Sequence, residues 1–474
     1  MNKSTLVDKF GKPLANTNFY RATNASRERR YIPAVATDSS QTLNGGTRKQ
    51  LMGLSRFLYS NSGICKAACN ELSRNAVGSG LRPQSQADPE RAKEYESYFN
   101  QWSQIADVTG RFSFDQMQYI MSLRADIDGD ILLAFTSTDT GYPALQLIEA
   151  HRIDSDWQDK DYTDGVRTDK WGKVVAYQVK EGDKYRKIAA KDCVLFMDAD
   201  RADQTRQCTS LSTAINNIAN IEDLIHFETV GVKMNSSVGI WIGSESGEVD
   251  SGSSFIESGN KASDTGGLGI DTFSAGMIPR MREGESINSF ASSRPTPTFP
   301  HFINHLVRNL SVGLNLPMEW IWDASGLTGV STRMVIKKAD RTFKHRQQLL
   351  INKVLKRVWA WVIAKGIKRG DLEPDPDWFK VRFIADKSLS VDLGRDSAAM
   401  INELKMGVQT LEQVAAENGG DWKEVREQLE KESNDLIQRA KAMSEAQGVS
   451  LELCLNLLSS RTSNPNLDPI KPKE

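Results

Sequence analysis

Three carboxylates stand within five residues in "DIDGD", residues 126–130, a grouping that could offer oxygen ligands to a hard cation. An EF-hand loop needs Gly at its sixth position and Glu at its twelfth, and neither is present, so a tight turn between two strands accounts for the stretch better. His301 and His305 lie four apart, the spacing that puts two imidazoles on one helix face as metal ligands, yet no Glu or third ligand accompanies them. Two polar helix residues is the simpler account. Cys65 and Cys69 share that spacing with no second pair elsewhere and read as small packed residues. "GGLGIDTFSAG", residues 266–276, has loosely dinucleotide-like glycines, but inside a Gly/Ser stretch and not between a strand and a helix. There is no G-x-x-x-x-G-K-[ST] phosphate loop and no G-x-S-x-G elbow, and the five His are scattered. No cofactor, metal or catalytic residue is expected, and the chain reads as a non-enzyme.

The strongest signal is electrostatic. In "GVSTRMVIKKADRTFKHRQQLLINKVLKRVWAWVIAKGIKRG", residues 329–370, twelve Lys or Arg fall between Arg333 and Arg369 against one acid, Asp340. Ile336, Ala339, Phe343, Leu350, Val354, Val358 and Trp361 recur at spacings of three, four or seven, which predicts one amphipathic helix over 331–365. Ser331 or Thr332 suits its N-cap and Gly366 its left-handed end. At ~1.5 Å rise per residue such a helix spans roughly 50 Å, a rod suited to a bundle or an assembly. The plain reading of its charge is a solvated face beside a core stripe.

The elements around it follow from composition. The chain has 474 residues, 39% apolar and 26% charged, with a formal net charge of −1. That leaves room for two to four domains, and without a run of 18 apolar residues or a signal-like start, neither secretion nor a membrane span is expected. The odd, scattered set of five Cys fits a reducing compartment. Residues 1–56 carry ten Lys or Arg against three acids, and residues 370–474 carry thirteen against twenty, so different parts of the chain are set to meet different partners. Residues 1–50 read as an extended or partly disordered arm. Helices are predicted over Lys49–Val77, Asp88–Trp102, 211–234, 299–315, Asp392–Lys405 and Asp421–Ser444. Strands are predicted at "ILLAFTS", "ALQLIEA", "VVAYQVK", "CVLFMD" and "WFKVRFIA". In residues 243–276, 16 of 34 are Gly or Ser and acids outnumber bases six to one, which reads as a mobile surface loop.

Six stretches carry a resemblance through their order and spacing: "NAVGSGLRPQ" (75–84), "EAHRIDSDW" (149–157), "GKVVAYQV" (172–179), "RADQTRQCTSLSTAI" (201–215), "LVRNLSVGLNLPMEWIWDASGLTGVSTRMVI" (306–336) and "DLGRDSAAMINELKMGVQTLEQVAAENGGDWKEV" (392–425). With them the chain resembles tailed-phage portal proteins of the lambda type over most of residues 50–430. It departs from them at Gln207, where the family has Gly, and at Gly329–Thr332, where a Tyr-Ser-Ser is usual.

The resemblance implies an α+β, predominantly helical portal fold that closes as a ring, typically of twelve subunits, at one capsid vertex, through which double-stranded DNA enters and leaves. Subunits in such rings have a wing, a stem of two helices with a clip inserted between them, a loop facing the tunnel, and a helical crown. Carried onto this chain, a basic arm (1–56) precedes a wing (57–330). The long helix (331–365) then supplies the outer stem in its second half, with Ile336, Phe343, Leu350, Val354, Val358 and Trp361 as its subunit interface. The clip (366–391) offers Asp375, Asp377, Trp378, Phe379, Lys380 and Arg382 to docking partners, and 392–405 is the inner stem helix. A tunnel loop of Lys405, Met406, Gly407, Val408, Gln409 and Thr410 faces DNA, residues 411–460 form distal wing and crown, and 461–474 is a disordered tail. Implied partners are the terminase large subunit, then the head-to-tail adaptor, with major capsid and scaffolding proteins. The implied location is the virion, and the host cytoplasm during assembly. Near-zero net charge suits a bore that lets a duplex slide, since each Lys or Arg on a phosphate adds affinity and salt dependence. Two other readings stay open: another capsid or head-to-tail connector, separable by subunit count, and a DNA-packaging enzyme, which the missing nucleotide loop argues against.

Overall fold

The structure, a computed structural model, describes residues 36–156, 158–236, 240–244, 285–289, 298–386 and 393–459. Most of the predicted arm, the Gly/Ser loop after Ser244, the end of the predicted clip and the predicted tail lie outside these residues. The chain opens with α1 (Ser39–Thr42), α2 (Gly45–Asn61), α3 (Gly63–Val77), β1 (Arg82–Ser85), α4 (Pro89–Ser103) and α5 (Phe114–Ile127). Six strands follow: β2 (Asp130–Ser137), β3 (Pro143–Glu149), β4 (Val166–Thr168), β5 (Val174–Glu181), β6 (Lys184–Ala189) and β7 (Cys193–Met197). Next come α6 (Ile215–Ser236), β8 (Ile240–Ser244), β9 (Glu285–Ser289), α7 (Phe299–Gly313), α8 (Met318–Ile321) and α9 (Gly329–Leu350). A π-helical turn, Ile351–Leu355, joins α9 to α10 (Lys356–Arg369). The chain then runs through β10 (Val381–Ile384), α11 (Leu393–Lys405), α12 (Leu411–Glu417), α13 (Trp422–Gln447) and α14 (Leu451–Ser459). This is an α+β fold dominated by helix.

Strand β2 explains the architecture of the sheets. Its side chains alternate between two faces, and both are buried. Ile131 and Leu133 join Leu145, Val194 and Phe196 on the helical side, against Phe99, Trp102, Phe114 and Trp359. Leu132 and Ala134 join Ile148, Cys193 and Leu195 on the other side, against Val166, Tyr177, Val179 and Ile188. The antiparallel sheet β3-β2-β7 is therefore sandwiched between helices and the antiparallel sheet β4-β5-β6. A third core, wholly helical, gathers Leu58, Ala68, Cys69 and Leu72 with Ile127, Leu310, Ala339 and Phe343.

The helical rod differs from its sequence prediction at both ends. It starts at Gly329, where Thr328 is the N-cap and its own backbone N–H donates to Ser331 Oγ at 2.8 Å. It ends at Arg369, capped by Gly370 at φ 82°. Gly366 stays helical because its missing Cβ admits Leu372 and the Tyr98 ring, both within about 3 Å of where that atom would lie. The helix predicted over Lys49–Val77 is two helices, since Ser62 is extended (φ −103°, ψ 119°).

The predicted subunit-interface stripe is corrected here. Leu350, Val354 and Val358 are fully buried within the chain, Phe343 nearly so, and Trp361 packs on the same core, stacked 5.1 Å from Phe135. Only Ile336 of the six is merely half-buried without a place in a core cluster. Most of the stripe is covered by the chain's own α4, α5 and sheet, which leaves only parts of Ile336 and Trp361 to offer a neighbour.

Candidate functional site

The three carboxylates of residues 126–130 lie in a helix-to-strand turn, not between two strands: α5 ends at Ile127 and β2 begins at Asp130. Gly129 makes the turn possible. Its φ is +97°, and an added Cβ would sit 2.4 Å from the Gln207 carbonyl oxygen. Each carboxylate holds its own arginine. Asp126 takes Arg346 of α9 at 2.6 Å, Asp128 takes Arg56 of α2 through two bonds of 2.7 Å, and Asp130 takes Arg206 at 2.7 and 2.8 Å. Arg206 is 4% exposed and uses all five N–H groups, the other three donating to the carbonyls of Ile153, Asp164 and Ala150. Burial holds the Asp126 carboxyl above its ordinary value while Arg346 pulls it back. Carboxylates so engaged do not present a cation cage, and no group of three metal-ligating side chains occurs among the described residues. His301 and His305 are exposed on α7. Cys65 and Cys69 are buried in the helical core.

The cations of the rod differ in their partners. Arg346 is engaged with Asp126, and Lys344 pairs with Asp340 at 2.8 Å. Lys353 donates to the Met197 carbonyl at 2.9 Å, and burial pushes its ammonium below the usual lysine range. Arg357 donates to the carbonyls of Ala190 and Lys191 and lies 5.6 Å from the Phe135 ring centre. Arg369 pairs with Asp371 at 3.3 Å and covers Tyr142. Lys337, Lys338 and Arg341, toward the start of α9, are exposed and make no ion pair among the described residues. Together with Arg308 of α7 they rim an open groove of about 590 Å³ between α7, α8 and α9. Glu319 is the one carboxylate in its lining.

The residues predicted for the clip do not form a separate lobe. Trp378 packs on the main core, and its carbonyl accepts from Trp359 Nε1 at 3.0 Å. Phe379 is exposed and meets Trp378 edge-on. Asp377 pairs with Lys380, and its N–H is held by Asp375. Arg382 reaches Glu412 at 2.8 Å, and β10 is paired antiparallel with β1 of the same chain. Residues 405–410 form the turn from α11 to α12, with Lys405, Met406 and Val408 exposed, Gly407 at φ 70° and Thr410 capping α12 through Gln413. A second groove, about 950 Å³, separates α4 from the start of α13. Glu96 lines it, accepts the Ser85 N–H at 2.6 Å, and is pushed up to about 7, by burial first and then by Asp421 and Glu424.

Sequence reasoning did not single out α6 and α7 as a unit. Ile221 and Leu224 of α6 pack on Ile303, Leu306 and Val307 of α7, and the antiparallel pair β8–β9 follows the first helix and precedes the second. Apolar residues of this helix pair are exposed on more than one face among the described residues: Ile225, Phe227 and Val230 on α6 and Phe302 on α7, Phe227 by 63%. The signal was present in the sequence as apolar residues on more than one face of 211–234.

A family model described as phage portal protein, lambda family, matches residues 26–347. The chain is similar in structure to the neck of a native gene transfer agent particle computed with C12 symmetry (TM-score 0.47, 12% identity, 78% of this chain and 94% of that one). It is similar also to the neck of an empty such particle computed with C6 symmetry (0.48, 13%, 78% and 94%). A third similar structure is an HK97 family phage portal protein from Corynebacterium diphtheriae (0.32, 11%, 73% and 95%). No curated protein matches the chain.

Proposed function

Since the chain belongs to the lambda family of phage portal proteins, whose model matches more than half of it, we propose that its copies close into a ring of about twelve at one capsid vertex and pass double-stranded DNA in and out. The observation that supports the assembly is the apolar surface that α6 and α7 leave exposed among the described residues. A monomer would leave Ile225, Phe227 and Val230 in water, and a closed ring gives such surface a partner.

The same observation moves the stem. A stem is a pair of helices with a clip between them, and α6 and α7, packed together with β8–β9 in the connection, suit that description. α10 instead packs on α4 inside the chain. We therefore assign the stem to α6 and α7 and the clip to the segment holding β8 and β9, the place for a terminase motor and later a head-to-tail adaptor to dock. Residues 314–328, which follow the second stem helix, take the tunnel-facing role in place of 405–410. α13 and α14, a helical hairpin closed by Gly448 with Ala440 and Cys454 buried between, suit a crown.

Mass photometry and negative-stain imaging of the purified protein test this reading. Closed rings with a central hole are expected. A species that stays monomeric over a range of concentration and salt overturns it.

A further inference from the structure

The helices α11 to α14 share no hydrophobic cluster with the rest of the chain, and among their described residues only Ala440 and Cys454, packed between α13 and α14, are buried. Charge ties them to the body instead. Lys93 of α4 pairs with Glu427 of α13, and Arg382 of β10 pairs with Glu412 of α12 at 2.8 Å. Lys93 and Glu427 stand on opposite walls of the cleft of about 950 Å³ between α4 and the start of α13, and Glu96 lines it with them. We propose that α13 docks on α4 as a reversible latch, closed by the two ion pairs and opened by charge on Glu96. The latch works within one chain, whether or not copies form a ring, so its failure and that of the portal reading are distinguishable.

Exposed ion pairs hold weakly and are screened by salt, and neither pair here is buried, so what holds α13 down is open to solvent. Glu96 is placed where a charge would push. Its carboxyl accepts the Ser85 N–H of β1 at 2.6 Å, and across the cleft it meets Asp421 and Glu424, with Lys423 as the nearby cation. Arg426, Glu427 and Glu430 of α13, and Glu90 and Lys93 of α4, are the other charged groups of the lining. Besides Glu96 that makes five acids against three bases, so a further negative charge in the closed cleft is repelled more than it is attracted. Burial, then these acids, push the Glu96 carboxyl up to about 7 from an ordinary 4.5, so it is neutral in the closed cleft at acid pH. Lys93 holds the Glu427 carboxyl below its ordinary value, so that pair persists at pH 4.5. Opening returns Glu96 to water and toward its ordinary value. The closed state is therefore fully favoured below pH 4.5 and loses that favour as pH rises through 7.

The test reads the width of the cleft in the full-length protein by double electron-electron resonance, with spin labels on Gln101→Cys and Glu430→Cys, one on each wall. Cys208→Ser removes the one native thiol that is not buried, and dilution with unlabelled protein keeps the distances within one chain. The protein with Glu96, Lys93 and Arg382 intact is expected to give one short distance at about pH 4.5 and about 50 mM salt. Its wide population grows at least about tenfold by about pH 7.5, and again as salt rises to about 500 mM. Glu96→Gln flattens the pH response and keeps the salt response. Lys93→Gln/Arg382→Gln is wide under all of these conditions. Thermal melts check that every variant folds. The latch is overturned by distances unchanged between the two pH values, by a pH response that survives Glu96→Gln, or by a double variant as narrow as the parent. None of these outcomes bears on rings, which mass photometry reads separately.

Discussion

At the scale of single residues, the turn Asp126–Asp130 shows why a carboxylate cluster is ambiguous in sequence and not in structure. The partners that neutralise it stand 220, 72 and 76 positions away, at Arg346, Arg56 and Arg206. Composition revealed the turn, and Gly129 its geometry, but no local pattern could reveal the arginines. The consequence for stability is sharp. Arg206→Met leaves Asp130 buried and unpaired and is expected to cost about 3–5 kcal/mol, read as a lowered urea midpoint. Replacing Asp130 as well should recover part of that loss, because the second uncompensated group is then gone. Glu96 gives a titratable counterpart. Its folded value, about 7, lies above the ordinary 4.5, so its contribution to stability is full below pH 4.5 and is lost as pH rises through 7. Glu96→Gln keeps the acceptor for Ser85 and removes the charge. It is expected to stabilise the protein at pH 8 by about 1 kcal/mol after allowance for solvent screening, and to change little at pH 4. Melts of both proteins across pH check the sign, and an equal effect at pH 4 and pH 8 would sink it.

At the scale of elements, periodicity found the rod but not what covers it. Stripe spacing reports that one face is buried; it does not distinguish the chain's own core from another copy. The four strands "ILLAFTS", "ALQLIEA", "VVAYQVK" and "CVLFMD" are present as β2, β3, β5 and β7, because apolar runs bounded by turn residues leave few alternatives. α5 escaped notice for the opposite reason. Met117, Gln118, Met121, Ser122, Leu123, Ala125 and Asp126 are all buried, and a helix enclosed on most sides has no polar face to give contrast. A pair of substitutions separates the two kinds of apolar surface. Leu350→Ala, inside the core, should destabilise the chain by about 2–5 kcal/mol in a denaturant titration. Phe227→Asp, on the exposed side of α6, should leave the monomer's melting temperature within a degree or two and abolish rings in mass photometry. Rings that survive Phe227→Asp would remove α6 from the interface.

At the scale of the whole molecule, the family was legible from the order of six motifs, while the placement of stem and clip was not, because it depends on which helices pair and on where the apolar surface is left uncovered. The segregated charge now has a geometry: Arg346, Lys353, Arg357, Lys365 and Arg369 are spent on the chain's own carbonyls, carboxylates and rings, and Lys337, Lys338 and Arg341 line a groove. The rod itself joins two cores, since Ala339 and Phe343 sit in the helical one and Leu350 to Ile363 in the one beside the sheet. Between them lies the π-helical turn Ile351–Leu355, one residue longer than a regular turn. Such a turn behaves as an inserted residue that resets phase. Deleting Asn352 would close it to an ordinary α-helix and leave Lys356–Arg369 in nearly the same phase relative to α9, because five residues of the wider turn advance about as far round the axis as four of the regular one. Trp359 and Val362 then keep their places in the core, so this deletion is expected to lower the melting temperature far less than deletion of Lys344, which lies in regular helix and would turn all that follows by about 100°, with scanning calorimetry as the check. The rod is thus one piece with two anchorages, its start held in the helical core and its end in the core beside the sheet, so a load applied near Ala339 reaches the sheet layer only through the widened turn.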